Sequence, residues 1–558
     1  MDITEFQKII GKHGYDAYIL TRGNMFLGQD VLPAENKLRE ISGFSGSAGT
    51  LIATPERAFL LVDGRYELQA AQEVDTSLIR VVCTNDTIGT WINNNFLTPL
   101  KIAYNPWCHS VNEVDYWQRA LKKHTFIEDA AEIAGSRICN RETSIFEHEL
   151  EFCGVSTEEK ISYLTAFINQ NGLDAYFIAE CDAVSWLLNL RSDCLPDTPV
   201  LRAFALVDKD GEVSLFTSDM QKIKTEIAAY KGRTVGMAYA KTPKKVQTLM
   251  KNRKIWLENI PNPIEGWKAV KNPVELDGIK KAHIRDGVAM VNFLCWLEQN
   301  WQNQDELGIV RQLRQYRAAQ KNFYSDSFGT IAAFGPNGAI VHYQPSAATN
   351  RKLEPGSVLL LDSGAQYYDG TTDITRTIAL GIPDEEIINS FTQVLKAHIA
   401  VADAYFPDKT PGCALDALAR AQLWKFGKEY RHGTGHGVGC FLSVHEGPFS
   451  LSPKNSQPLS AGMVSSIEPG FYKEGSYGIR IENLAYITGA DIPGLPEPML
   501  KFEPLTLAPL DKSLINKYLL TAAEIKWLDS YHATVYRKLH PHLTDDAAQW
   551  LRHACAPL

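Results

Sequence analysis

The sequence predicts an α/β (α+β) protein of three domains, and three observations carry that prediction. A helix-then-strand pattern recurs in the first half, proline-bearing stretches punctuate the chain, and late strand-like runs are each interrupted by an acid. At 558 residues the chain also exceeds what one hydrophobic core can hold. The boundaries expected are 1–140, 141–266 and 267–558.

The first two domains are read from an internal repeat. "FQKIIGKHGYDAYIL" (Phe6 to Leu20) and "LTAFINQNGLDAYFI" (Leu164 to Ile178) share a helical pattern, then Gly-x-Asp-Ala-Tyr, then an apolar strand. Further strand-like runs follow each copy, "GTLIAT" and "AFLLVD" in the first, "RAFALVD" and "VSLFT" in the second. Two related α/β units of ordinary domain size are the simplest source of such a repeat. The polar stretch "ICNRETSIFEHEL" marks the junction between them, and "NIPNPIEGWKAVKNPVEL", with Pro261, Pro263 and Pro273, marks the next.

After that junction, "ELDGIKKAHIRDGVAMVNFLCWLEQN" reads as a long amphipathic helix with Ile279, Ala282, Val288, Val291 and Leu294 on its apolar face. The tail, from "AAEIKWLDSYH" to the end, reads as two helices that pack on the domain or on a partner subunit.

Composition excludes several functions. A net charge of −9 with no basic patch argues against nucleic-acid binding. No window is apolar for long enough to span a membrane, and "MDITEFQKIIGKHGYDAYIL" lacks the basic-then-apolar form of a secretory signal. Ten scattered cysteines without a C-x-x-C pair suit reduced thiols in a cytoplasm. Cys440 is read as a small buried filler rather than a nucleophile.

In the third domain four acids and a histidine stand out. Asp362 ends "SVLLLD", Asp373 lies in "GTTDITRT", His436 in "HGTGHGVGCF", Glu468 in "MVSSIEPGF" and Glu482 in "GIRIENLAYI". Singly, each acid could be a cap or a turn former. Together they form a hard, oxygen-rich donor set that favours Mn²⁺ or a similar ion over a thiolate zinc site. Four negative charges balance two divalent ions, and a pair about 3.5–4 Å apart would share a bridging water and make hydroxide near neutral pH.

Spacing adds a geometric expectation. With Asp369-Gly370 as a two-residue hairpin tip, Asp373 would face Gln366, roughly 13 Å along the strand from Asp362. Direct opposition of Asp362 and Asp373 would instead bring their Cβ atoms within about 5 Å. A wider loop, centred between Tyr367 and Tyr368, is therefore expected.

His432 and His436 stand at helical spacing, but Gly433, Gly435, Gly437 and Gly439 disfavour a helix. A flexible loop delivering His436, with His432 behind it, is expected. His342 in "GAIVHYQP" and His445 in "FLSVHEGP" could stabilise charge on a scissile carbonyl. Arg480, two residues before Glu482, could orient a ligand carboxylate or form a plain ion pair.

At these residues a resemblance becomes specific. "DSGAQYYDGTTDITRT", "HGTGHGVGCFLSVHEGP", "SSIEPGFY" and "GIRIEN" resemble the M24 metallopeptidases of pita-bread fold, in the three-domain cytosolic Xaa-Pro aminopeptidase (aminopeptidase P) branch. "ISGFSGSAGT", "DGRYELQAA", "WLLNLRSD" and "KWLDSYH" extend the likeness over nearly the whole chain. The resemblance implies two creatinase-like N-terminal α/β domains before a C-terminal pita-bread catalytic domain. It implies two Mn²⁺ ions, or other divalent metals such as Zn²⁺ or Co²⁺, on Asp362, Asp373, His436, Glu468 and Glu482.

Glu468 would also act as the general base. His342, His445, His436 and Arg65 would contact a peptide substrate whose second residue is proline, with Arg480 and His432 supporting the ligands. A cytoplasmic homodimer with no membrane or nucleic-acid partner is implied as well. Ser443, where relatives often carry Asn, and Cys440, where they carry Ser, depart from the pattern and bear on substrate preference. The rivals are a prolidase acting on Xaa-Pro dipeptides, a creatinase-like amidinohydrolase, and a non-catalytic peptide-binding module. The last predicts missing ligands, and none is missing.

Overall fold

A computed structural model describes all residues except 130–131, 135–142, 218–219, 493 and 495–497. The boundary expected at 140/141 lies outside the described residues. The chain forms two compact units: residues 1–147, 155–195 and 200–264 in one, and 148–154, 196–199 and 265–558 in the other.

The N-terminal unit contains two mixed sheets built on one plan. The first runs 80–83, 58–62, 50–53, 17–21, 101–104, 125–128; the second runs 213–216, 204–208, 175–178, 234–237, 256–259. In both, the strand after the repeated motif pairs antiparallel on one side and parallel on the other. The motif's residues explain this. Gly14 and Gly172 take positive φ to end the preceding helix. The following Asp then clamps the start of the parallel neighbour: Lys101 N donates to Asp16 Oδ2 (2.7 Å) and Thr234 N to Asp174 Oδ2 (2.9 Å). The repeat in sequence is thus a repeat in hydrogen bonding.

The long helix of the second unit, Pro273–Asn300, is capped by Asn272 and Glu275 in a reciprocal box with Pro273 at the first turn. Ile279, Ala282, Val288, Val291 and Leu294 are all buried, as the periodicity predicts. A second helix, Glu306–Ala318, leads into the antiparallel strands Ile331–Phe334, Ser357–Ser363 and Ile374–Leu380. The pattern then recurs. Helices Glu385–Ala402 and Gly412–Trp424 precede a six-stranded sheet that contains Gly435–Gly437, Val464–Ile467 and Asn483–Ala490. A bridge between Thr375 and Glu482 joins the two sets of strands.

The tail forms helices Ala522–Leu539 and Asp545–Ala554 and packs on its own unit. Leu528, Tyr531, Val535, Leu539 and Leu551 share a core cluster with Phe391, Val394 and Leu415. His532, on the buried face, accepts from Leu510 N through Nε2 (3.1 Å) and so must be neutral there. Burial first, then the charges of Lys512 and Arg376, lower its pKa to about 3. A depressed histidine stabilises the fold above its unfolded pKa near 6.5 and loses that contribution as pH falls towards 3. Docking of the tail should weaken by about 2 kcal/mol between pH 7 and 5. Hydrogen exchange of 522–558 at both pH values measures this, and a tail equally protected at pH 5 would refute it.

Candidate metal centre

Four of the five expected ligands lie at strand ends, where side chains leave a ladder and can converge. Asp362 is the penultimate residue of the strand Ser357–Ser363, Asp373 precedes Ile374–Leu380, Glu468 follows Val464–Ile467, and Glu482 separates Tyr477–Arg480 from Asn483–Ala490.

The structure corrects the expected register. Asp362 faces Thr375, Ser363 faces Ile374, and Tyr367 faces Gly370 across a tight tip at Tyr368-Asp369. Asp362 and Asp373 are therefore diagonal rather than opposed, and Asp373 does not face Gln366 either. The expectation assumed one flat ladder. Instead, the hairpin breaks at Gly364, where a Cβ would collide with Thr372 O and Ser327 Oγ. Asp373 leaves the ladder at this break. As Thr375 shares its strand face, a diagonal neighbour remains in reach of Asp362's face.

His436 sits not in a flexible loop but in the short strand Gly435–Gly437, between Glu446–Leu451 and Val464–Ile467. The flanking glycines have a packing cause. A Cβ at Gly435 would strike Ser466 O, and one at Gly437 would strike Glu446 O. His436 N accepts its place by donating to Ser466 Oγ (2.9 Å). Nδ1 meets Gly437 O at 2.8 Å, so it carries the proton and leaves Nε2 as a bare lone pair. That nitrogen lies 3.6 Å from Asp373 Oδ2 and 3.5 Å from Glu468 Oε1. Burial lowers its pKa to about 4, which keeps it neutral at pH 7.

Ligand atoms of Asp373, His436 and Glu482 all lie within 4.8 Å of one another. Without cations this arrangement is electrostatically costly. Burial, then the charges of Glu482, Asp362 and Glu468, push Asp373 well above the ordinary carboxylate range. Burial, then Glu468 and Asp362, do the same to Glu482. Asp362 Oδ1, Asp373 Oδ1 and Glu482 Oε1 are buried with no hydrogen-bond donor. Buried anionic oxygens without donors cost several kcal/mol unless a cation meets them. The donor set fits divalent metal.

Supporting groups hold the remaining oxygens. Arg480 Nη2 donates to Asp362 Oδ2 (2.6 Å), so its ion pair is with Asp362 rather than Glu482. Thr375 Oγ1 donates to Glu482 Oε2 (2.7 Å), and Ser466 Oγ to Glu468 Oε1 (3.3 Å). His432 Nδ1 bonds Gly433 O, so Nε2 accepts from Tyr472 OH (2.8 Å), which accepts from Arg480 Nη1 (2.7 Å). His432 Nδ1 is 4.0 Å from Glu468. His445 is exposed and meets the His436 ring edge-on at 4.3 Å. His342 is half-buried and near enough to His432 to contribute to lowering its pKa. Arg65 belongs to the N-terminal unit, where its guanidinium binds Asp63 (2.7 Å). Cys440 is buried among Ile279, Val438 and Val464, as a filler.

Sequence reasoning missed Thr375, Ser466, Tyr472 and Arg376. Thr375 and Ser466 were legible as same-face neighbours two residues from Asp373 and Glu468. Tyr472 and Arg376 carry no local signal.

Comparison with known proteins agrees with this geometry. The profile of Metallopeptidase family M24 matches residues 277–489, and that of the C-terminal region of peptidase M24 matches 498–558. Creatinase/Prolidase N-terminal domain profiles match 3–139 and 137–275. An aminopeptidase P1 of Lotus japonicus is 35% identical, covering 95% of this chain and 95% of its own. The chain belongs to the M24 metallopeptidases, in the Xaa-Pro aminopeptidase branch. A probable Xaa-Pro aminopeptidase P of Aspergillus fumigatus is 34% identical over 100% of this chain and 92% of its own. The crystal structure of an X-prolyl aminopeptidase from Caenorhabditis elegans, described as a cytosolic enzyme with a di-nuclear active site, superposes with a TM-score of 0.92. It is 30% identical and covers 98% of this chain and 95% of its own. A prolidase structure from Thermococcus sibiricus is 25% identical with a TM-score of 0.52, and covers 98% of that chain but 64% of this one. The pita-bread expectation and the creatinase-like N-terminal domains hold, and this chain is an enzyme of the aminopeptidase class.

Proposed function

We propose that the chain removes the N-terminal residue from peptides whose second residue is proline. Two divalent cations, Mn²⁺ by the hardness of the donors, would be held by Asp362, Asp373, His436, Glu468 and Glu482. The observation that carries this reading is the convergence of buried carboxylate oxygens without donors on the bare Nε2 of His436. When bound, such cations would polarise the scissile carbonyl and acidify a bound water.

The chain's own groups supply the rest. Glu468 keeps 19% of its side-chain surface exposed, against 12% for Asp362 and 5% for Asp373. It alone of the three can both hold an ion and exchange a proton with the open side, so it takes the proton of the attacking water and passes it to the leaving proline nitrogen. His445, against the His436 ring, and His342, near His432, would donate to the carbonyl as negative charge builds. Arg480 and His432 orient Asp362 and Glu468. A prolyl nitrogen has no N–H, so a protease relying on that donor fails where carbonyl polarisation succeeds.

The prolidase reading is weaker, because the prolidase from Thermococcus sibiricus leaves about a third of this chain unmatched while the probable Xaa-Pro aminopeptidase P of Aspergillus fumigatus matches all of it. Cytoplasmic residence is part of the proposal. The Caenorhabditis elegans neighbour described as a cytosolic enzyme supports it, and no helix among the described residues is long and apolar enough to cross a membrane. So is a homodimer, which sedimentation would check. The decisive assay gives Mn²⁺-loaded protein Xaa-Pro-Xaa peptides, Xaa-Pro dipeptides and proline-free peptides, with and without chelator. Cleavage of the tripeptides, abolished by chelator and absent on proline-free peptides, is expected. Activity confined to dipeptides would turn the proposal into prolidase.

A further inference from the structure

The segment carrying His342 has little secondary structure, yet it is held firmly. Between Phe334 and Arg351 it contains one short 3₁₀ turn, Gly335–Ala339. On one side that turn presses on the strand Tyr477–Arg480, where a Cβ at Gly338 would meet Gly478 N at 2.7 Å. On the other side stands a single buried carboxylate. Glu306 opens the helix Glu306–Ala318 and is fully buried. Its Oε1 accepts from Phe334 N (2.8 Å) and Asn337 Nδ2 (2.9 Å). Its Oε2 accepts from Tyr343 OH (2.8 Å) and Arg351 N (2.9 Å). Tyr343 OH also meets Thr349 O (2.9 Å), and Asn337 Nδ2 meets the same carbonyl at 3.2 Å.

Two of the four donors are backbone amides that can accept nothing in return, and Tyr343 follows His342 directly. We propose that Glu306 is the positioning residue of His342: its carboxylate gathers the segment 334–351 and aims that imidazole at the substrate carbonyl. The inference rests on the reading above that His342 contacts the carbonyl. Glutamine at 306 keeps the volume but sets an amide NH₂ where a carboxylate oxygen accepts from two groups, at least one of them a backbone N–H that can accept nothing in return. A positioning role predicts that losing Glu306 and losing His342 forfeit the same thing.

The test compares Glu306→Gln, Tyr343→Phe, His342→Ala and the double variants Glu306→Gln/His342→Ala and Tyr343→Phe/His342→Ala. Read-outs are kcat and KM on an Xaa-Pro-Xaa peptide, bound Mn²⁺ per chain, and the His342 imidazole resonance. Glu306→Gln should lower kcat 10- to 100-fold with Mn²⁺ content unchanged. Neither double variant should be more than about twofold slower than His342→Ala alone. The His342 resonance should shift or broaden in both Glu306→Gln and Tyr343→Phe. Effects that multiply, or an unmoved resonance, would overturn the inference. Should Glu306→Gln fail to fold, Tyr343→Phe carries the same cycle with one donor removed. Wild-type protein that leaves Xaa-Pro peptides uncut would count against the functional reading instead, and the resonance would still decide the positioning.

Discussion

Replacing Glu468 by Gln is expected to lower kcat/KM on Xaa-Pro peptides by about 10³-fold, with the protein still folded. Glutamine matches the size of glutamate and keeps one oxygen that Ser466 Oγ can reach, as it reaches Oε1 at 3.3 Å now. It cannot accept a proton at neutral pH, so kcat should carry the loss. Asp373→Ala should match or exceed it by another route. It removes a carboxylate whose Oδ2 lies 3.6 Å from His436 Nε2, and with it part of the charge that retains a cation. Metal analysis separates the two: Glu468→Gln should retain more Mn²⁺ than Asp373→Ala. Either variant with full activity would remove that residue from the mechanism.

The largest effect on stability is expected at Arg376. Its guanidinium is buried without a carboxylate in hydrogen-bond contact, and all five of its N–H groups have neutral acceptors to serve. Nε donates to Pro509 O (3.0 Å). Nη1 donates to Thr375 O (2.9 Å) and Glu482 O (2.8 Å). Nη2 donates to Ala508 O (2.8 Å), Asn483 Oδ1 (2.9 Å) and Tyr531 OH (3.0 Å). Burial lowers its pKa, the cost of holding a charge there. Arg376→Leu removes that cost but strands several buried acceptors at once, and their desolvation dominates. A net loss of about 3–5 kcal/mol is expected, read from the denaturant midpoint. Lysine should not rescue it, since one ammonium cannot reproduce a planar fork. Because two of the acceptors are the carbonyls of Glu482 and of Thr375, whose hydroxyl holds the Glu482 carboxylate, Mn²⁺ affinity should fall as well. A variant within 1 kcal/mol of the parent would show that these carbonyls find water instead.

What was legible in the sequence was local. The amphipathic helix from Pro273, the two tail helices and the Gly-x-Asp-Ala-Tyr repeat are patterns of burial and capping that neighbouring residues impose. The chemistry of the site was legible too, because acids inside apolar strand runs are costly wherever they occur and need a partner. The spacing of Asp362 and Asp373 does not give their register, since the ladder does not run on through Gly364. The bend there comes from Ser327 and Thr372 crowding a position that only glycine tolerates.

His436 was expected on a loop for a related reason. Glycines disfavour a helix from the sequence alone, but Gly435 and Gly437 are required by strands that lie close in space and far apart in the chain. The sequence by itself determined which side chains carry the chemistry, because residue type sets charge, hardness and proton affinity. Only the tertiary structure decided where they meet. Register, the bare Nε2 of His436, the Arg480–Asp362 pair and the acceptors of Arg376 and Glu306 all depend on contacts between segments that no local pattern specifies.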